Sequence, residues 1–250
     1  LQSLAAQPGA SATAHPLMTA RPEVRNIGLI LMVSDRGLAG SYNVNMITLA
    51  ERFLAAAGKP AKVITVGRKG RDAMVRRGRN VVATFDRIPD PPSFLDVTAI
   101  ARVAIDSMLN EDVDQVFIAY SEFVNLVTRQ PVIRQLLPLR PAHPNEIPAA
   151  EYVSGVDAVK ASQQSYTYEP NPEALLNDIV PRFTRLQVYQ SLLEAFASEH
   201  SARMVAMNNA TDNAAELVDI LTLERNKARQ ASITSEILDI VGGAEALKTV

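Results

Sequence analysis

The chain has 250 residues with 25 Lys+Arg against 27 Asp+Glu, a net charge of -2, 47% hydrophobic and 5% aromatic residues, and no Cys. This balance is that of an ordinary folded protein with no bulk attraction to nucleic acid or anionic lipid. The absence of Cys excludes disulfide scaffolds, thiolate zinc sites and cysteine nucleophiles, and His15, His143 and His200 stand too far apart in sequence to predict a metal centre.

Residues 1–26 read as a connector: Leu1–Gln7 as a last helical turn, then small residues and Pro8, Pro16 and Pro22. The apolar run Ile27–Val33 is the signature of a strand buried on both faces. After it come SDRGLAGSYN (34–43), a helix to Ala57, a strand Lys62–Val66, a basic helix Arg68–Arg77 and a strand Asn80–Phe85. A loop with Pro89, Pro91 and Pro92 leads to a helix over Ser93–Leu109, with Ser93 or Asp96 as cap, and then to a strand Val113–Tyr120. This alternation predicts an α/β fold, an open Rossmann-like sheet with helices on both faces. Phe123–Val127 and Val132–Leu139 flank Thr-Arg-Gln-Pro and predict an antiparallel hairpin at the sheet's end. Residues 140–160 read as a long loop and Ser165–Tyr168 as a last short strand.

Asn171-Pro172-Glu173 supplies a cap, a first-turn proline and a first-turn acid for a helix. After Pro181 neither Gly nor Pro occurs until Gly242, which permits ~90 Å of helix at ~1.5 Å per residue. An α/β domain of this size is ~40 Å across, so such a helix has to leave its domain, with a kink expected at Pro181. A heptad column from Ile179, paired with a second one three residues on, is mostly apolar: Leu186, Leu193, Phe196, Met207, Leu217, Leu221 and Leu238 lie on it. His200, Arg203 and Glu224 interrupt it. A stripe of this kind needs a partner helix, either a second copy or a segment preceding Leu1. The expected organisation is therefore a connector (1–26), an α/β domain (27–169) and a long coiled-coil helix (170–250).

The SDRGLAGSYN loop lies where a phosphate loop would, but it fits neither GxGxxG nor GxxxxGK[ST]. We expect a structural turn, with Gly37 and Gly40 in unusual backbone conformations and Asp35 and Arg36 in local hydrogen bonds. Arg68, Lys69, Arg71, Arg76, Arg77 and Arg79 form a basic run with Asp72 as the one acid within it, read as a solvated face or an electrostatic contact. His200 is expected to be a packed or partner-bonded histidine. No catalytic, cofactor or metal residue is predicted. Polar groups for a small-molecule or nucleotide enzyme reduce to Ser34, Asp35 and the Ser121-Glu122 pair; a homodimeric coiled-coil adaptor is the other alternative.

The stretch ASEHSARMVAMNNATDNAAELVDILTLERNKARQASITSEILDIVGGA (197–244) resembles the C-terminal helix of the gamma subunit of F-type ATP synthase. SDRGLAGSYN (34–43), with Ala39 where Cys often stands, SYTYEPNPEALL (165–176) and RLQVYQSLLEAFASEH (185–200) resemble the same family. The family begins with a long N-terminal helix that pairs antiparallel with the C-terminal one, and Leu1–Ala6 would be only its tail. The resemblance implies a non-catalytic rotor shaft in the central stalk, coupling proton flow through the c-subunit ring to ATP synthesis on beta. It implies alpha, beta, epsilon and the c ring as partners, and a place on the cytoplasmic face of a bacterial membrane, held there through the complex. It also implies contacts to beta through Arg229, Gln230 and Thr234, with Arg225 and Lys227 as weaker candidates, and a foot contact to the c ring through Tyr166, Tyr168 and Glu169.

Overall fold

The computed structural model describes residues 15–139 and 172–248. In chain order the elements are β1 (Ile27–Met32), α1 (Tyr42–Ala57), β2 (Ala61–Val66), α2 (Arg68–Arg76), β3 (Asn80–Phe85), α3 (Phe94–Leu109), β4 (Gln115–Phe123), β5 (Arg129–Leu137) and α4 (Pro172–Lys248). The strands form one sheet in the order β3-β2-β1-β4-β5. β1 pairs parallel with β2 and with β4, so it is central, and β5 closes one edge antiparallel to β4. All six residues of β1 are buried, as its unbroken apolar run requires.

The pleat sends alternate side chains into two cores. Ile27, Leu29, Leu31 and Val33 meet Met46, Ile47, Ala50 and Leu54 of α1 and Ala73 and Met74 of α2. Ile30 and Met32 face the opposite side, with Val97, Ile100, Ala104 and Met108 of α3 and Leu176, Val180, Val188, Leu192 and Ala195 of α4. α3 starts at a capping box in which Ser93 N donates to Asp96 Oδ2 at 2.8 Å and Asp96 N to Ser93 Oγ at 3.4 Å. Both cap candidates thus serve one start.

The hairpin differs from expectation. β4 runs on through Phe123, so the expected strand Phe123–Val127 is instead the end of β4 and the turn. Asn125 Oδ1 accepts from Val127 N and Thr128 N at 2.9 and 2.7 Å, which turns the backbone where the apolar Val124, Leu126 and Val127 gave a strand-like pattern. Residues 15–26 are also more than a connector. Leu17 is fully buried in the core, and Leu17 O accepts from Leu139 N at 2.8 Å.

Two compact units divide within α4, one ending at Arg203 and the other beginning at Met204. The first unit extends well past residue 170, because the start of α4 is part of the second core. α4 passes through Pro181 without interruption and continues through Gly242-Gly243. In the first unit its buried face runs through Leu176, Val180, Thr184, Val188, Leu192, Ala195, Ser198, Ser201 and Ala202. The heptad column at Leu186 and Leu193 is exposed there, although Tyr189 and Phe196 touch the core. The helix therefore carries two faces in this region, and the one packed on the sheet was hidden in the sequence by its Ser and Thr residues. The expected strand 165–168, the loop 140–160, the cap Asn171 and the tail Leu1–Ala6 lie outside the described residues.

Candidate functional site

In an open α/β sheet, ligands enter the crevice beyond the carboxyl ends of the strands, where the strand order reverses. Here that point lies between β1 and β4. The chain fills it with its own helix. Tyr42 OH donates to Ala195 O at 3.1 Å, Ser198 Oγ to Ser121 O at 2.9 Å, and Ser201 Oγ to Leu126 O at 2.6 Å. Ala39, Tyr42 and Ala202 pack together in the same place. Burial, with the charge of Glu199 beside it and against that of Arg203, pushes the Tyr42 phenol far above its ordinary range, so it is a neutral donor at any working pH. Ser121 is buried with its carbonyl bonded to α4, and Glu122 is paired with Arg134 at 2.9 Å.

The SDRGLAGSYN loop is held from within. Ser34 Oγ donates to Arg36 O, and Ser34 N donates to Asn43 Oδ1 at 3.0 Å. Asp35 Oδ1 accepts from Arg68 N at 2.9 Å and Oδ2 from Arg87 N at 2.8 Å. One carboxylate therefore joins the loops after β1, β2 and β3, and it occupies the first amide of α2 that a phosphate would need. Gly40 takes a left-handed φ of 56°, but the other left-handed residue is Leu38 at 63° and not Gly37. Gly67, at φ 96°, is demanded by crowding: a Cβ there would lie 2.0 Å from Val33 O.

The basic run is less free than its sequence implies. Arg79 pairs with Glu51 at 2.6 Å, Arg71 with Asp72 at 2.9 Å and with Asp86 at 3.5 Å, and Arg76 Nε donates to Asp72 O. His200 Nε2 lies 2.7 Å from Asp90 Oδ2. Among the described residues no group of three or more His, Cys, Asp or Glu is placed to hold a metal ion.

The second unit, described by itself, presents the residues implied for beta contact. Arg225, Lys227, Arg229, Gln230 and Thr234 are all exposed on α4. At ~100° per residue, Arg225 and Arg229 share one edge, whereas Lys227, Gln230 and Thr234 lie on another. They belt the helix and do not form one patch. The three cations make no ion pair among the described residues, and Thr234 Oγ1 donates back to Gln230 O at 2.8 Å. Tyr166, Tyr168 and Glu169 lie outside the described residues. The residues missed from sequence are Tyr42, Asn43, Ser198 and Ser201; the available signal was the pair of small hydroxyls Ser198 and Ser201, three apart and so on one face of the helix.

A family model described as ATP synthase matches residues 1–247. The ATP synthase gamma chain of Moorella thermoacetica is 44% identical over 234 residues, covering 94% of this chain and 77% of that protein. That of Dehalococcoides mccartyi is 42% identical over 247 residues, covering 99% and 81%. Among solved structures, a chain of the Euglena gracilis mitochondrial ATP synthase matches with a TM-score of 0.63 at 22% identity, covering 96% of this chain and 81% of that one, and so bears on the fold alone. With a family model spanning nearly its whole length and bacterial gamma chains at 42–44% identity, this chain belongs to the ATP synthase gamma chain family.

Proposed function

We propose that the chain is the rotor of the central stalk of a proton-translocating ATP synthase, a subunit that transmits torque and performs no bond chemistry itself. The observation that carries this reading is the second unit of α4. From Met204 to Ala244 none of its residues is buried, and large apolar side chains are spread around it, on opposite sides as well as between them. At ~100° per residue Leu217 and Leu221 fall on one side, Ile233, Ile237 and Ile240 fall roughly opposite, and Val218 and Ile220 lie on the flanks between them. One partner helix, as in a homodimeric adaptor, covers one edge only. A helix apolar on opposite sides is built to be surrounded. A coiled-coil mate on one side and a sleeve of alpha and beta subunits on the other satisfy both.

The enzyme alternative is disfavoured by the plugged crevice between β1 and β4. In the rotor reading that plug has a purpose: Tyr42, Ser198 and Ser201 fix α4 to the sheet. Turning the α/β unit then turns the helix. The helix changes the affinities of the beta sites only so far as its edges contact their open and closed forms differently. Arg229 and Arg225 on one edge, and Gln230, Thr234 and Lys227 on another, are the side chains we assign to those contacts. Guanidinium groups suit acidic loops through bidentate, charge-assisted bonds. The foot contact with the c ring is assigned to Tyr166, Tyr168 and Glu169, with epsilon on the α/β unit. No helix among the described residues is long and apolar enough to cross a membrane, so attachment on the cytoplasmic face of a bacterial membrane would run through the complex.

The test is reconstitution. Full chain mixed with alpha/beta hexamers is expected to be captured and, with the membrane sector, to restore proton-driven ATP synthesis. Arg229→Ala is expected to assemble normally and to lower the synthesis rate several-fold. Failure of capture would overturn the rotor reading; an unchanged rate would overturn the Arg229 assignment alone.

A further inference from the structure

A cleft of about 560 Å³ opens between the carboxyl ends of β1, β2 and β3 and the stretch of α4 from Phe196 to Arg203. Its lining includes the apolar side chains Val33, Val66, Phe85, Ile88 and Phe196. Its charged lining is Arg36, Arg68, Arg87 and Arg203 against Asp35, Asp90 and Glu199, with His200 beside Asp90. The acids are already engaged. Both oxygens of Asp35 accept backbone amides, Asp90 meets His200, and Glu199 Oε1 accepts from Arg203 Nη2 at 2.6 Å. The cations are not all matched. Arg36 and Arg87 have no side-chain ion pair or hydrogen bond among the described residues. Arg68 has only a long ion pair, Nε to Asp35 Oδ1 at 3.8 Å, and that Nε is shut off from solvent with no hydrogen-bond acceptor. A buried donor left without an acceptor is destabilising unless a ligand supplies one.

We propose that this cleft binds a phosphorylated small molecule, its phosphate oxygens among the guanidinium groups of Arg36, Arg68 and Arg87 and its organic body over Phe85, Ile88 and Phe196. Guanidinium forks match phosphate oxygens bidentately. The volume far exceeds that of a bare oxyanion and falls within the range of sites for small organic ligands. The apolar part of the lining gives such a ligand something to cover. The site is distinct from the torque-bearing contacts of α4 beyond Arg203 and does not depend on them.

Arginine-specific labelling with phenylglyoxal, mapped peptide by peptide, tests it on the full chain alone and in the assembled complex. The probes are ADP, pyrophosphate, adenosine, and NaCl at matched ionic strength. ADP and pyrophosphate are expected to slow labelling of Arg36 and Arg87 about tenfold, while the exposed Arg102 is unaffected. ADP is expected to act at lower concentration than pyrophosphate, and adenosine not to act. Arg87→Gln is expected to weaken protection of Arg36 about tenfold, the loss of roughly one charge-assisted bond, and Arg87→Lys to weaken it less. Protection no greater than with NaCl, or equal protection by adenosine, would overturn the proposal. So would Arg36 and Arg87 that label freely in the chain alone, whatever the probe, and are silent in the complex, since the cleft would then seat a partner's acidic segment. Because the labelling is read residue by residue, loss of capture by alpha/beta hexamers registers separately and bears only on the rotor reading.

Discussion

Asp114 shows how one side chain secures the chain's entry into the sheet. Its carboxylate accepts from Arg25 N at 2.7 Å, Asn26 N at 2.9 Å and Arg21 Nη1 at 2.8 Å. Burial alone would push its pKa up, but the two backbone amides and the Arg21 guanidinium outweigh burial and hold it below the usual carboxylate value. The folded state therefore favours the ionised form. Its contribution is complete above the ordinary carboxylate pKa of 3.8 and is lost as pH falls through the depressed folded value. Asp114→Asn is expected to cost about 1–3 kcal/mol at pH 7, and its deficit against the parent chain to shrink as the pH is taken below 4. Urea unfolding of both chains across that range measures this; a deficit independent of pH would show that the charge is not what matters.

At the scale of elements, the sheet was legible because its signals are local. β1 reads as buried from its own apolar run, and Gly58 and Ser93 mark helix ends through backbone conformation and capping. The antiparallel edge was legible as a hairpin, but its arms were displaced because an exposed apolar turn mimics a strand. The packed face of α4 was not legible. A search for apolar heptads finds Leu186 and Leu193, which are exposed, and passes over Thr184, Ser198 and Ser201, which are buried. Their hydroxyls are tolerable inside because backbone carbonyls accept from them: Thr184 donates to Val180 O one turn back, whereas the carbonyls that meet Ser198 and Ser201 come from segments far away in sequence. Ser121 O illustrates this. Its donor is the Ser198 hydroxyl, 77 residues away in sequence. Ser198→Ala is expected to strand that carbonyl and destabilise the first unit by about 1–3 kcal/mol, read by urea unfolding of the full chain. A change within about 0.5 kcal/mol would mean that another donor replaces the hydroxyl.

For the whole molecule, the candidate site is distributed, and this limits what sequence reasoning reaches. Asp35 draws together three loops separated by fifty residues, and no spacing rule announces that. The contacts assigned to α4 were reached through family resemblance and not through chemistry, because Arg229 and Gln230 are exposed side chains on a helix surface with nothing local to mark them. What distinguishes the second unit is its apolar edges, which add nothing to the stability of the first. Leu217 and Leu221 are 55% and 53% exposed, so Leu217→Lys with Leu221→Lys leaves no hole in either core. Such surface changes are expected to move the unfolding of the first unit by less than about 0.5 kcal/mol. In an assembled rotor the same two lysines would have to enter an apolar seam without counter-charges, at a cost of several kcal/mol. The double variant should therefore unfold like the parent chain yet fail to be retained by alpha/beta hexamers in size-exclusion chromatography. Retention equal to the parent would mean that the heptad edge faces water in the complex, and that the opposite edge, with Ile233 and Ile237, makes the seam.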